Sequence, residues 1–176
     1  MNIFILDTMP RVCAQWHVDR HVVKMPLESA QLLCTAIVLN NGEAKYKVAH
    51  KNHPCSIWAR KTRGNFLWLG KLGKELCLEY SYRYGRVHAC ETVIDDCLTK
   101  SHYLPSGPLS DFALAIPPEF KRSCPVEAYR AYYNGAKRDL ASWSGREQPY
   151  WWVASCVRSD TKQSKKGVTS EKDNPR

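Results

Sequence analysis

A chain of 176 residues with 26 Lys and Arg against 17 Asp and Glu is long enough for one compact core and short for two. Its charge excess favours a polyanionic partner, nucleic acid being the commonest. The opening Met1-Asn2-Ile3-Phe4-Ile5-Leu6 is followed at once by Asp7, without the basic region, long apolar run or small-residue cleavage pattern of a secretion signal, and no membrane span is indicated. The eight cysteines form no CxxC pair, so a cytoplasmic chain with reduced thiols is expected rather than a disulfide framework.

Ile3 to Leu6 reads as an extended segment tucked against the body. Thr8 is placed to cap a helix that begins near Pro10 and runs to about Lys24, and Pro26, which lacks a backbone N–H, marks a kink or break before a second helix carrying Leu27, Ala30, Leu33, Cys34 and Ile37. Asn40-Asn41-Gly42 ends that unit and Glu43 to Lys51 is a loop. Asn52-His53-Pro54 is a start signal with Asn52 as the cap, and the following pattern of Ile57, Trp58, Phe66, Leu69, Leu72, Leu76 and Tyr80 predicts a long central helix ending near Gly85. A further helix is expected over Val87 to Leu98, a loop over Ser101 to Ser110, an extended or turned stretch over Ile116 to Phe120, and a last helix from Pro125 through Leu140. No strand-like alternation of useful length and no repeat is visible. The expected architecture is an all-α, compact single-domain helical bundle over residues 1–156, followed by a flexible basic tail over 157–176.

Two stretches carry the chemistry-bearing side chains. His17, Arg20, His21, Lys24 and Glu28 recur at spacings of three or four, opposite Val18, Val22 and Met25, and combine imidazoles, a guanidinium, an amine and a carboxylate on one helix face. An ordinary solvated polar face is the alternative reading. His17 and His21 lack the glutamate of an HExxH site, position 18 being Val, and His50, His53 and Cys55 match no common zinc spacing, so no metal or other cofactor is expected. The second stretch, His50 to Arg63, sets a helix N-terminus beside Arg60, Lys61 and Arg63, an arrangement suited to phosphate. Arg83, Arg86 and Trp151 lie where cations and aromatics interleave, as a base-stacking surface would require, although the tyrosines and tryptophans there also suit a core.

Ile116-Pro117-Pro118-Glu119-Phe120-Lys121, Pro125-Val126-Glu127-Ala128, Lys137, Arg146, Pro149 and Trp151 resemble the C-terminal part of the bacteriophage pyrimidine-dimer DNA glycosylase (endonuclease V) family. Asp19-Arg20 with Lys24 and Glu28, and Asn52-His53-Pro54 with Trp58 and Arg60, are similar to bacterial proteins grouped with it. The resemblance implies an all-helical fold whose N-terminal segment lies at the active site. It also implies an α-amine that attacks C1′ of a damaged nucleotide, a glutamate that assists, arginines that hold phosphate, and strand cleavage by β-elimination through an imine.

Asn2 is a poor neighbour for removal of Met1, so the nucleophile is expected to be the Met1 amine or Lys24. Glu28 or Asp19 is then the acid/base, and Arg20 and His21 contact phosphate or the leaving group. His17, Met1 and Asn2 complete the expected catalytic set; His50, Asn52, His53, Trp58, Arg60, Arg63, Arg83, Arg86 and Trp151 are the expected DNA-binding set. Two other functions fit the same residues: a non-catalytic DNA- or nucleotide-binding phage accessory or counter-defence protein, and an enzyme of base modification or of nucleotide-level glycosidic chemistry.

Overall fold

A computed structural model describes residues 1–153; the expected basic tail lies outside the described residues. The fold is all-α: six α-helices and three short 3-10 turns, with no strand among the described residues. The helices are α1 (Pro10–Gln15), α2 (Asp19–Val38), α3 (Pro54–Lys61), α4 (Arg63–Tyr84), α5 (Glu91–Thr99) and α6 (Pro125–Asn134). The long pair α2 and α4 forms the centre; α1 packs on α4, and α3 and α5 each pack on both. No helix is long and apolar enough to cross a membrane.

The extended segment Ile3 to Leu6 is buried. Arg130 on α6 fixes it by donating to the Leu6 carbonyl (2.9 Å), and Cys13 brackets it from α1, accepting from Leu6 N–H and donating to the Phe4 carbonyl. The start of α1 differs from expectation: Met9 is the cap residue, and the Asp7 carboxylate, not Thr8, accepts the Met9 N–H (2.8 Å). The helix break also moves. It falls at Trp16 to Val18, and α2 runs unbroken through Pro26. Proline removes one rung of the hydrogen-bond ladder, but Met25, Pro26, Ser29, Ala30, Leu32 and Leu33 are all buried, and packing rather than local propensity decides whether such a helix persists.

The expected central helix is two helices. Thr62 adopts extended backbone and its hydroxyl caps α4 by accepting from Asn65 N–H (3.1 Å) while donating to the Pro108 carbonyl (2.8 Å). Arg63 and Gly64 N–H groups bond to Pro105 and Gly107 carbonyls, so the 105–108 segment occupies the joint. Gly64 permits this approach: a Cβ there would sit 2.3 Å from the Leu109 nitrogen. At the start of α3 the cap is His53, whose ring accepts from Cys55 N–H (3.2 Å), in place of the expected Asn52. The last helix ends at Asn134, short of Leu140, with a 3-10 turn over Arg138–Leu140.

Candidate functional site

The N-terminus, the middle of α2 and the segment after α5 enclose a cavity of about 280 Å³ lined by Met1, Asn2, Phe4, His21, Lys24, Met25, Glu28, Ala115, Tyr132 and Lys137. Glu28 is its organising group. One carboxylate oxygen accepts the Asn2 backbone N–H (2.8 Å) and lies 3.9 Å from the Met1 amine; the other is 3.0 Å from Lys24 Nζ one helical turn back. Glu28 is 7 % exposed, so these contacts act in a poorly screened environment, while the Lys24 side chain is 67 % exposed and reaches the carboxylate from the solvent side.

Asn2 anchors the terminus. Its side-chain amide donates to the Ala115 carbonyl (2.8 Å), and its Oδ1 accepts from Ile3 N–H and from the Tyr129 hydroxyl, each at 2.8 Å. With Asn2 and Glu28 locked, the first residue is directed into the cavity. Phe4 is held with φ at 54°, a conformation unfavourable for a bulky side chain, and its ring stacks on His21 at 4.3 Å.

His21 Nδ1 lies 2.5 Å from the Tyr133 hydroxyl. Burial, followed by neighbouring His17 and the cations Lys137 and Lys24, pushes the His21 pKa down to about 3, which keeps the imidazole neutral. Lys137 Nζ lies 5.0 Å from the Tyr132 ring centre, giving the cavity a second cation. His53, the cap of α3, faces the same region: its pKa is lowered by burial, then by the N-terminal ammonium and by His50, against the opposing pull of Glu28.

The structure therefore brings together Met1, Asn2, His21, Lys24 and Glu28, with His53 and His50 in their electrostatic neighbourhood. Arg20 is exposed on the first turn of α2 beside Lys24, Val23 and Tyr84. Asn52 is exposed next to the α3 cap, and Arg86 is exposed just beyond α4. Phe4, Tyr132 and Lys137 line the cavity without having been singled out as site residues; Lys137 entered only through the family resemblance, Tyr132 has no motif in the chain to flag it, and the Phe4 conformation is visible only in three dimensions.

Several expected site residues do structural work instead. His17 lies in the break between α1 and α2, fully buried, with Nδ1 donating to the Cys13 carbonyl (2.7 Å), and burial pushes its pKa down to about 4; it does not line the cavity. Asp19 accepts from Arg83, Ser142 and Ser144. Burial pushes its pKa up, but the hydrogen bonds from Ser142, Ser144 and Arg83 prevail and hold it down to about 2. Asp19 therefore clamps helices and is no acid/base for the cavity.

Arg83, whose side chain is fully buried, donates to Asp19, to Glu79 (2.7 Å), and to the His17 and Gln15 carbonyls. Arg63 bonds to the Ser101 and His102 carbonyls, and Arg60 to the Lys51 carbonyl and Ser56 hydroxyl. Trp58 is core, packed on Trp68 and Phe112. Trp151 packs on Tyr133 and Trp16 beneath Arg130. Trp58 is committed to the core, and Trp151 is half-buried by its packing. The seven cysteines among the described residues are free thiols.

No family model, no curated protein and no solved structure matches the chain.

Proposed function

We propose that this protein is a DNA glycosylase with an associated abasic-site lyase step, acting through an amine in the cavity organised by Glu28. The observation that carries the reading is the convergence of the Met1 amine, at 3.9 Å, and of Lys24 Nζ, at 3.0 Å, on one buried carboxylate. An amine beside a carboxylate that can accept its proton is the arrangement nucleophilic attack on a sugar carbon needs. Of the two amines, Met1 is the better placed. It is anchored from within through Asn2 and enters the cavity, whereas Lys24 extends largely into solvent.

In this reading the amine forms a bond to C1′ of an extruded nucleotide as the C1′–N bond to the base breaks, and Glu28 takes the proton released by the amine. Glu28 returns that proton to O4′ as the C1′–O4′ bond breaks, which opens the sugar ring, leaves an iminium at C1′ and restores the carboxylate. Glu28 then removes a C2′ proton, the C3′–O bond breaks, and the strand is cut with the phosphate as leaving group. His21, neutral and held by Tyr133 and Phe4, is positioned to donate a hydrogen bond to the departing base. Lys24, Lys137 and Arg20 supply positive charge for the flanking phosphates. The cavity, at about 280 Å³, lies just below the roughly 300–1,000 Å³ range of small-molecule sites.

The test is strand cleavage of a duplex oligonucleotide carrying one abasic site. Glu28→Gln is expected to lower the cleavage rate by about 10²-fold or more while leaving DNA binding in place. Cleavage equal to wild type in that variant overturns the role of Glu28.

A second reading, DNA binding without chemistry, is favoured by the saturation of Glu28 by Lys24 and the Asn2 N–H. It predicts salt-dependent binding that survives Lys24→Ala and Glu28→Ala, with no strand cleavage by the wild-type protein.

A further inference from the structure

Away from the cavity, α2 and α5 bring two thiols into direct contact. Cys34 Sγ and Cys97 Sγ are 3.5 Å apart, both fully buried, and neither has a role in the chemistry above. The two sulfurs are not equivalent. Cys34 is faced by the backbone amides of Tyr46 and Lys45 from the loop that follows α2, and Cys97 is its hydrogen-bond partner; these donors, the Cys97 bond foremost and against the opposing effect of burial, hold the Cys34 pKa down to about 7. The same hydrogen bond, followed by burial, pushes Cys97 well up. A thiolate at Cys34 and a protonated thiol at Cys97 is the division of labour of an attacking and a resolving cysteine.

The loop over them is fastened by Thr35 Oγ1, which accepts from Ala49 N–H (3.0 Å) and donates to its carbonyl (3.3 Å), by Lys100 Nζ donating to the Glu43 carbonyl (3.0 Å), and by the Tyr46 hydroxyl against Cys90 Sγ (3.6 Å). Its residues 41, 43, 45, 47 and 48 are exposed. A cleft of about 480 Å³ lined by Val38 and residues 42–48 indents the loop itself; the sulfurs do not line it, so a peroxide reaches them only when the loop moves aside.

We propose that Cys34 and Cys97 form a redox-active dithiol that a hydroperoxide closes to a disulfide. The Cys34 thiolate attacks one peroxide oxygen, the O–O bond breaks, and the departing oxygen takes a proton to leave as water or an alcohol; Cys34 becomes a sulfenic acid. Cys97 sulfur then attacks Cys34 sulfur, the S–O bond breaks, and the hydroxyl leaves as water with the Cys97 proton. Two thiols are oxidised and one hydroperoxide is reduced. Disulfide formation shortens the sulfur–sulfur separation from 3.5 Å to roughly 2.05 Å.

Cys124, an exposed thiol, is an internal control. The full-length protein is treated with one equivalent of hydrogen peroxide, its remaining thiols are alkylated after denaturation, and peptides are mapped without reduction. The expected result is a Cys34–Cys97 linked peptide, with Cys124 still largely alkylated. In Cys97→Ser, dimedone is expected to label Cys34. Oxidation of Cys124 while Cys34 and Cys97 remain alkylated in the wild-type protein overturns the proposal, whether or not the variant folds. So does dimedone labelling of Cys124 without Cys34 in folded Cys97→Ser.

Discussion

Glu28 receives the Asn2 N–H and Lys24 Nζ and faces the Met1 amine, which makes its charge, not its size, the property to test. The neutral histidines give a second test at this scale. His17 and His21 fold into sites where burial depresses their pKa values from 6.5 to about 4 and about 3. As pH falls below 6.5 the unfolded chain takes up protons that the folded chain refuses, so stability present at neutral pH is lost progressively toward pH 4 and below. Denaturant melts between pH 7 and pH 4 are expected to show falling stability, and His17→Gln a shallower fall. A flat profile in the wild-type protein contradicts the burial of two neutral imidazoles. Asp19 acts lower on the scale: its depressed pKa contributes stability above about 3.8 that is lost as pH falls toward 2.

At the scale of elements, two joints define the molecule. One is the break between α1 and α2, closed by Arg83 from α4 through Asp19, Glu79 and two carbonyls. Arg83→Ala leaves Asp19 without its buried cation and Glu79 with Arg146 alone, and is expected to cost about 3–5 kcal/mol by chemical denaturation; a loss below about 1 kcal/mol contradicts the clamp. The other joint is Thr62–Gly64. Gly64→Ala forces a methyl against the 108–109 backbone and is expected to destabilise by roughly 1–3 kcal/mol, the range of overpacking. Both joints were hidden in the sequence for the same reason. The apolar pattern from Ile57 to Tyr80 continues in phase across Thr62, and Pro26 is the strongest local breaker in a segment that tertiary packing holds helical. Periodicity reported which faces are buried, and it could not report that a distant segment, 105–108, would occupy the joint.

Across the whole molecule, the all-α class, the ends of α2 and α5 and the start of α6 follow closely from helical spacing and proline positions. The candidate site divides more unevenly. Lys24 and Glu28 were legible because i, i+4 spacing on a helix fixes their proximity. Met1 and His53 join them only through the burial of Ile3 to Leu6 and the packing of α3 on α2. Arg83, Trp58 and Trp151 looked like nucleic-acid contacts because cations beside aromatics serve a core clamp and a stacking surface equally well, and only burial separates the two. The central claim is that an amine of this cavity forms an imine with DNA. Borohydride reduction of the protein mixed with an abasic-site duplex, followed by peptide mapping of the adduct, tests it most directly. One covalent adduct is expected, on the Met1 amine, strongly reduced in Glu28→Gln. Absence of any adduct in wild-type protein that binds the duplex, or an adduct confined to lysines outside the cavity, would contradict it.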